Sequence, residues 1–195
     1  FYKDPNEFNH WVGGGNEVIT FAQNMKTRGD HCGWGVFEKI VAGFNAKVYG
    51  PGNENAGDLN GGFMSYANMK QKMRDARVYV YTGTQPASYT LAFIEAMMTG
   101  VPIVSIGSKY GNSLDVAGEM FEIPDIIQDG VNGYVSDDIE YLREKIDLLT
   151  KNVKLARRIG DMGRKTAIEL FGKETIKNQW KGFLNDHYRQ SQQDS

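Results

Sequence analysis

The stretch Gln85–Ser105 reads QPASYTLAFIEAMMTGVPIVS, and it decides the fold class of the chain. A polar turn leads into an apolar helix that ends at Gly100, and Ile103–Ile106 then forms a short apolar run. Before the turn, Arg77–Thr82 is β-branched and aromatic, which is typical of a buried strand. The order strand, loop, helix, strand predicts a parallel α/β unit.

The same pattern recurs earlier in the chain. Val18–Ala22 and Ala46–Tyr49 are predicted strands, and the segment between them has apolar residues at helical spacing. Gly50–Gly62 contains five glycines and one proline, so we predict a loop there. Amphipathic helices follow in the second half of the chain. We therefore predict an α/β, Rossmann-like parallel sheet with helices on both faces, which binds ligands at the carboxyl ends of its strands.

The length of 195 residues fits one domain, which we place at residues 1–188. Within it, residues 1–16 are predicted to be a linker and 174–188 a terminal helix. The polar residues 189–195 are predicted to form a flexible tail. Because the chain starts with Phe1 and not Met, we expect it to be a processed product or a fragment of a longer protein.

Composition argues against several classes of partner. Lys and Arg total 22 against 24 for Asp and Glu, so no basic field points to nucleic acid or to an anionic membrane. The single cysteine, Cys32, excludes an internal disulfide and favours a reducing, cytoplasmic compartment. His10, His31 and His187 lack partners at ligand spacing apart from the adjacent Cys32, so we predict no metal site.

Glu95 is the one acid in the apolar helix of the first stretch. Its neighbours in the sequence are alanine, isoleucine, phenylalanine and methionine, so we expect it to be buried. A buried carboxylate needs a partner that offsets the loss of its hydration. We predict that this partner is a ligand hydroxyl.

Several segments together resemble one family. They are Tyr81–Gly100 with the Gly-Val-Pro-Ile-Val-Ser that follows, Ile123–Tyr134, Arg157–Phe171 and Thr175–Leu184. Their order is similar to that in the C-terminal, donor-binding domain of retaining glycosyltransferases with the GT-B fold, the group 1 and glycogen-synthase-related family. The resemblance implies a single C-terminal GT-B-type domain of a hexosyltransferase-type enzyme. It also implies a UDP- or GDP-sugar as donor, no obligatory cofactor or metal, and an N-terminal acceptor-binding domain that this sequence lacks.

The family signature has two acids separated by seven residues. Its second acid, which accepts hydrogen bonds from ribose hydroxyls, falls at Glu95, and its first falls at Ala87. Alanine cannot hold a sugar hydroxyl, so either another residue substitutes or the donor sugar differs. The resemblance places backbone N–H groups of the following turn against the diphosphate, at a helix start that favours anions. The residues of that turn are Ser88, Tyr89, Thr90 and Leu91.

Two further groups of site residues follow from the resemblance. Lys26 and Arg28 would neutralise the diphosphate as it leaves, and Arg28 is the second implied catalytic residue beside Glu95. The alternative for both is a solvated surface charge. Gly50, Phe63 and Met64 resemble the edges of a nucleobase slot. For Phe63 we favour the alternative of ordinary core packing.

Asp125 stands near the position at which the family has a loop acid close to the donor sugar, and a turn-forming aspartate is the alternative.

Three functions stay open from the sequence. The first is the donor domain of a glycosyltransferase that acts with retention. The second is a noncatalytic module that binds a nucleotide sugar, which the alanine at Ala87 favours. The third is a scaffold domain, for which the irregular Ser108–Glu119 segment could serve.

Overall fold

The computed structural model describes residues 2–112 and 120–193, with side chains up to residue 185. Six parallel strands form one sheet in the order β3-β2-β1-β4-β5-β6. They are β1 Val18–Phe21, β2 Ala46–Tyr49, β3 Asn60–Gly62, β4 Val78–Tyr81, β5 Ile103–Ile106 and β6 Tyr134–Ser136. The predicted Rossmann-like α/β fold is confirmed.

Helices connect the strands and cover the sheet. They are α1 Met25–Arg28, α2 Trp34–Val41, α3 Tyr66–Asp75, α4 Leu91–Thr99, α5 Ser108–Gly111, α6 Ile123–Ile126, α7 Ile139–Lys151, α8 Val153–Phe171 and α9 Lys173–Gln193. Short 3₁₀ turns lie at Pro5–Glu7, Gly29–Cys32 and Glu54–Leu59. Part of the predicted irregular segment, residues 113–119, lies outside the described residues. Among the described residues, no helix combines the length and the apolar character needed to cross a membrane.

The prediction that Gly50–Gly62 is wholly a loop is wrong at its end. Asn60–Gly62 pairs with β2 as the edge strand β3. The ring of Tyr49 occupies the space in which Gly61 would carry a β-carbon. A glycine-rich segment thus pairs here because its missing side chains admit a neighbouring ring.

The N-terminal segment packs on the body of the domain although only one short turn in it is regular. Phe8 and Trp11 are buried in the core, and the indole N–H of Trp11 donates to the carbonyl of Ala76 at 2.6 Å. Arg164 of α8 donates to the carbonyls of Phe8 and Pro5 at 3.3 and 3.1 Å. These contacts hold residues 5–11 against α8 and the end of α3.

The terminal helix α9 leaves an apolar face in solvent. Trp180, Phe183 and Leu184 are each more than half exposed, although their spacing predicts one side of an amphipathic helix. Within the described residues, this face is therefore not covered by the core.

Candidate functional site

The carboxyl ends of all six strands lie at one edge of the sheet, because the strands are parallel. Strand order reverses between β1 and β4: the chain moves from β1 outward to β2 and β3, and then returns to β4 on the other side. Such a reversal opens a crevice between the loops that follow the two central strands. The loops after Phe21 and Tyr81 therefore frame the candidate site.

A cleft of about 240 Å³ lies at this edge. Gly50, Phe63 and Met64, which the sequence predicts as a nucleobase slot, all line it. The other lining residues are Phe21, Ala22, Gln23, Tyr49, Pro51, Met69 and Ala92. The lining is mostly apolar with backbone groups at its edge, a composition suited to a flat aromatic ligand.

Phe63 is 76% exposed, so the prediction that it packs in the core is wrong. It directly follows β3, which is the edge strand of the sheet in the part of the chain that the structure describes. Its ring therefore stands at the rim of the cleft.

A buried asparagine that sequence reasoning missed joins two loops of the site. The Asn53 amide donates to the carbonyls of Ala22 at 2.8 Å and Gly50 at 2.9 Å, and its oxygen accepts from the N–H of Met25 at 2.8 Å. The Gly50 N–H donates to the Gly62 carbonyl at 3.0 Å. Both main-chain groups of Gly50 thus already have partners in the chain, and Asn53 holds the loops after β1 and β2 together.

Two basic side chains follow β1, as predicted. The ammonium of Lys26 lies 5.5 Å from the centre of the Trp34 ring. No described residue forms an ion pair or hydrogen bond with the guanidinium of Arg28. Burial raises the pKa of the Cys32 thiol, and the nearby charge of Arg28 offsets part of that rise. Arg28 therefore lies on the loop next to Cys32 with its fork available to an anion.

This loop touches the turn after β4. The carbonyl of Cys32 accepts from the Thr82 hydroxyl at 2.7 Å. Gly33 has a φ of +61°, and a β-carbon on it would lie 2.9 Å from the Cβ of Thr82. The close approach requires glycine, and it holds the segment after α1 against the residues that follow β4.

The turn Ser88–Leu91 leads into α4, but its side chains mostly contact other parts of the chain. The Ser88 hydroxyl donates to Glu122 Oε1 at 2.9 Å, and the Tyr89 ring meets Phe171 edge-on at 5.2 Å. Thr90 is the N-cap and Leu91 is exposed. N–H groups in the first turn of a helix lack intrahelical acceptors, so the backbone at this start can still bind an anion.

No acid stands at Ala87, yet a carboxylate reaches the neighbouring residue from elsewhere. Glu122 also donates its N–H to the Ser88 carbonyl at 3.3 Å, so it is tied to the turn twice. Glu122 lies just before α6, and its position in the sequence gives no sign of this contact. Asp125 is exposed in α6.

Glu95 is buried as predicted, with 4% of its surface exposed. The prediction that a ligand hydroxyl is its partner needs a correction, because the chain itself supplies two. Glu95 Oε1 forms an ion pair with Lys3 and accepts from the Tyr66 hydroxyl at 3.1 Å. No described residue hydrogen bonds to Oε2. Ala92, one helical turn before Glu95, lines the cleft, and Glu95 itself lies behind that lining.

Among the described residues, no group of three His, Cys, Asp or Glu side chains could hold a metal ion. The side chain of His187 lies outside the described residues.

The candidate site at the carboxyl edge of the sheet thus consists of a mostly apolar cleft, the guanidinium of Arg28, the start of α4 and the carboxylate of Glu95.

No family model matches the chain. A poly(ribitol-phosphate) alpha-N-acetylglucosaminyltransferase of Staphylococcus aureus is 30% identical over 122 residues, which are 62% of this chain and 22% of that enzyme. The chain thus spans about a fifth of the length of this curated relative.

Solved structures show the same architecture. A mutant of S. aureus TarM in complex with fondaparinux, alpha-GlcNAc-glycerol and UDP matches with a TM-score of 0.63 and 24% identity, over 94% of this chain and 37% of that one. The C-terminal domain of a group 1 family glycosyl transferase, LpcC of Francisella tularensis, matches with a TM-score of 0.61 and 15% identity, over 88% of this chain and 99% of that domain. The predicted resemblance to C-terminal domains of GT-B glycosyltransferases is confirmed.

Proposed function

We propose that this chain is the donor-binding part of a glycosyltransferase that moves a sugar from a UDP-sugar to an acceptor hydroxyl. The observation that carries the proposal is the cleft lined by Gly50, Phe63 and Met64, with Glu95 one helical turn beyond its wall. A nucleobase fits the cleft, and a carboxylate beside it can accept the two hydroxyls of a ribose in charge-assisted hydrogen bonds. UDP is favoured over GDP because the matching TarM structure contains UDP.

The sugar we favour is N-acetylglucosamine, since the S. aureus relative is named as an alpha-N-acetylglucosaminyltransferase. Retention belongs to the same proposal. In UDP-N-acetylglucosamine the sugar is joined to phosphate by an alpha linkage, so an alpha product keeps the configuration. The cytoplasmic location expected from the single cysteine is also part of this proposal.

Arg28 and the start of α4 would bind the diphosphate. The guanidinium can bind two phosphate oxygens, and the helix start adds backbone N–H groups and a positive dipole end. Negative charge grows on the diphosphate as the bond to the sugar breaks. Groups already aimed at that charge stabilise the transition state more than the ground state.

The acceptor-binding part would have to come from outside this sequence. The exposed apolar face of α9, with Trp180, Phe183 and Leu184, is where we expect that part to contact this domain. Without the acceptor-binding part, the chain should bind the UDP-sugar but transfer the sugar slowly.

A second candidate function is a noncatalytic nucleotide-sugar module. Ala87 favours it, because the side chain that would meet the sugar has no polar group. The two functions differ in turnover and not in binding.

Titration calorimetry with UDP, GDP and ADP tests the proposal. We expect measurable binding of UDP and weaker binding of the other two nucleotides. Equal binding of all three, or binding of none, would contradict the donor-site assignment. Transfer from UDP-N-acetylglucosamine by a version of the protein that includes the acceptor-binding part then separates the enzyme from the noncatalytic module.

A further inference from the structure

Lys3 connects the N-terminal segment to the buried carboxylate of the site. Its main chain is fixed at the junction of α8 and α9: its N–H donates to the Phe171 carbonyl at 2.9 Å, and its carbonyl accepts from the N–H of Lys173 at 3.0 Å. An isolated parallel β-bridge pairs Lys3 with Gly172. From this fixed point the side chain reaches Glu95, which is 92 residues away in the sequence.

Both partners of Glu95 bind the same oxygen. Lys3 and Tyr66 donate to Oε1, whereas no described residue donates to Oε2. The side chain of Glu95 is 5% exposed and that of Lys3 is 16% exposed, so the pair is largely shielded from water. A carboxylate held at one oxygen keeps a fixed orientation, and its second oxygen can accept two further hydrogen bonds.

We propose that Lys3 is a positioning residue for ribose recognition, which holds Oε1 of Glu95 and so presents its Oε2 to the ribose diol. The inference rests on the proposed function, because the diol belongs to the nucleotide placed in the cleft. Without Lys3, the buried carboxylate would retain only the hydroxyl of Tyr66 as a partner. A carboxylate held by a single neutral donor is oriented less firmly, and it binds a diol less tightly because ordering it costs part of the binding free energy.

Ribose binding also depends on what holds the main chain of Lys3 in place. The residue that orients Glu95 belongs to neither the cleft nor α4, but to a segment held by Phe171 and Lys173. Ribose affinity therefore depends on the packing of the N-terminal segment against the α8–α9 junction.

The test compares UDP with 2′,3′-dideoxyuridine diphosphate, which lacks both ribose hydroxyls, by calorimetry. Lys3→Met keeps the length of the side chain and removes its charge. We expect the wild type to prefer UDP by about tenfold or more, and the variant to lose most of this preference through weaker UDP binding. Lys3→Arg should restore part of it, since arginine also donates to a carboxylate.

Lys173→Gln is the matched control. It removes the charge of Lys173 and its ion pair with Asp4, but keeps the main-chain hydrogen bond to Lys3 and the contact of Lys3 with Glu95. The preference for UDP should remain. Tyr66→Phe removes the second donor to Oε1 and should lower the preference by a smaller factor, which keeps the inference testable if Lys3→Met does not fold.

Two results would overturn the inference. One is an unchanged preference in folded Lys3→Met, or in Tyr66→Phe where Lys3→Met does not fold. The other is an equal loss of affinity for both nucleotides, which indicates a structural role alone. In either case the wild type still binds UDP, and the proposed function stands. A wild type that binds neither nucleotide overturns the proposed function together with this inference.

Discussion

Gly50 packs so closely against Ala22 that a β-carbon on Gly50 would overlap the main-chain oxygen of Ala22. The φ of Gly50 is +137°, a conformation that residues with side chains rarely adopt. Gly50→Ala should therefore lower the free energy of unfolding by about 2 kcal/mol or more, because it adds a clash to backbone strain. Urea denaturation followed by circular dichroism measures this loss.

Gly35→Ala is the control for that substitution. Gly35 lies on the exposed side of α2, and nothing stands within 4 Å of a β-carbon built on it. Gly35 lies in the first turn of α2, where alanine still restricts the unfolded chain more than glycine does, so this variant should be at least as stable as the wild type. Similar stabilities of the two variants would contradict the close approach at Gly50.

The central strands could be predicted because their chemistry is local. Ala46–Tyr49 and Ile103–Ile106 are observed with the predicted bounds, since apolar and β-branched runs between polar turns suit a buried parallel strand. The edge strand β3 could not be predicted. Its residues Asn60–Gly62 carry no apolar or β-branched pattern, and the room that Gly61 leaves for the ring of Tyr49 is a contact between two strands.

The candidate site, too, could be predicted only in part. Burial of Glu95 follows from its apolar neighbours, but its contacts with Lys3 and Tyr66 join residues far apart in the sequence. Periodicity reports which face of an element is buried, and it does not report which remote side chain meets that face. The contact of Glu122 with Ser88 was missed for the same reason.

Phe63 stands at the rim of the cleft with most of its ring in solvent, so its removal should affect binding and not stability. We expect Phe63→Ala to weaken UDP binding by about 1–3 kcal/mol, the range for stacking of a base on an aromatic side chain. Calorimetry measures the affinity, and a thermal melt checks that the midpoint is unchanged. Trp180→Ala, at an exposed aromatic of α9, should leave UDP affinity as it is. Equal affinities of Phe63→Ala and the wild type would remove Phe63 from the site.

Arg28 is expected to bind phosphate and not the nucleoside. Arg28→Ala should weaken UDP binding by about tenfold, because a charge-assisted hydrogen bond is lost, while uridine binds as before. Arg158→Ala removes an exposed arginine of α8 and should change neither affinity. Parallel losses for UDP and uridine in Arg28→Ala would show that Arg28 acts indirectly.

Glu95→Gln tests the carboxylate itself. The substitution keeps the shape of the side chain, so most of the fold should remain, and UDP affinity should fall by about 1–3 kcal/mol. Glu169→Gln neutralises an exposed acid of α8 and serves as the control in the same calorimetric series. An unchanged affinity in Glu95→Gln would exclude Glu95 from ribose binding.

The ion pair of Lys3 with Glu95 should also appear in the pH dependence of stability. Burial lowers the pKa of Lys3, but the hydrogen bond and the charge of Glu95 outweigh this, so the pKa lies above its ordinary value of 10.5. A raised pKa in the folded state means that the contribution is complete below 10.5 and is lost as pH rises through the folded value.

Urea denaturation between about pH 10 and pH 12 should therefore show a steeper loss of stability in the wild type than in Lys3→Met. Buried tyrosines, among them Tyr79 and Tyr81, have raised pKa values and add an alkaline loss of the same sign in both proteins. Only the difference between the two curves therefore reports on Lys3. Parallel curves over this range would mean that Lys3 gains no stabilisation from Glu95 in the folded protein.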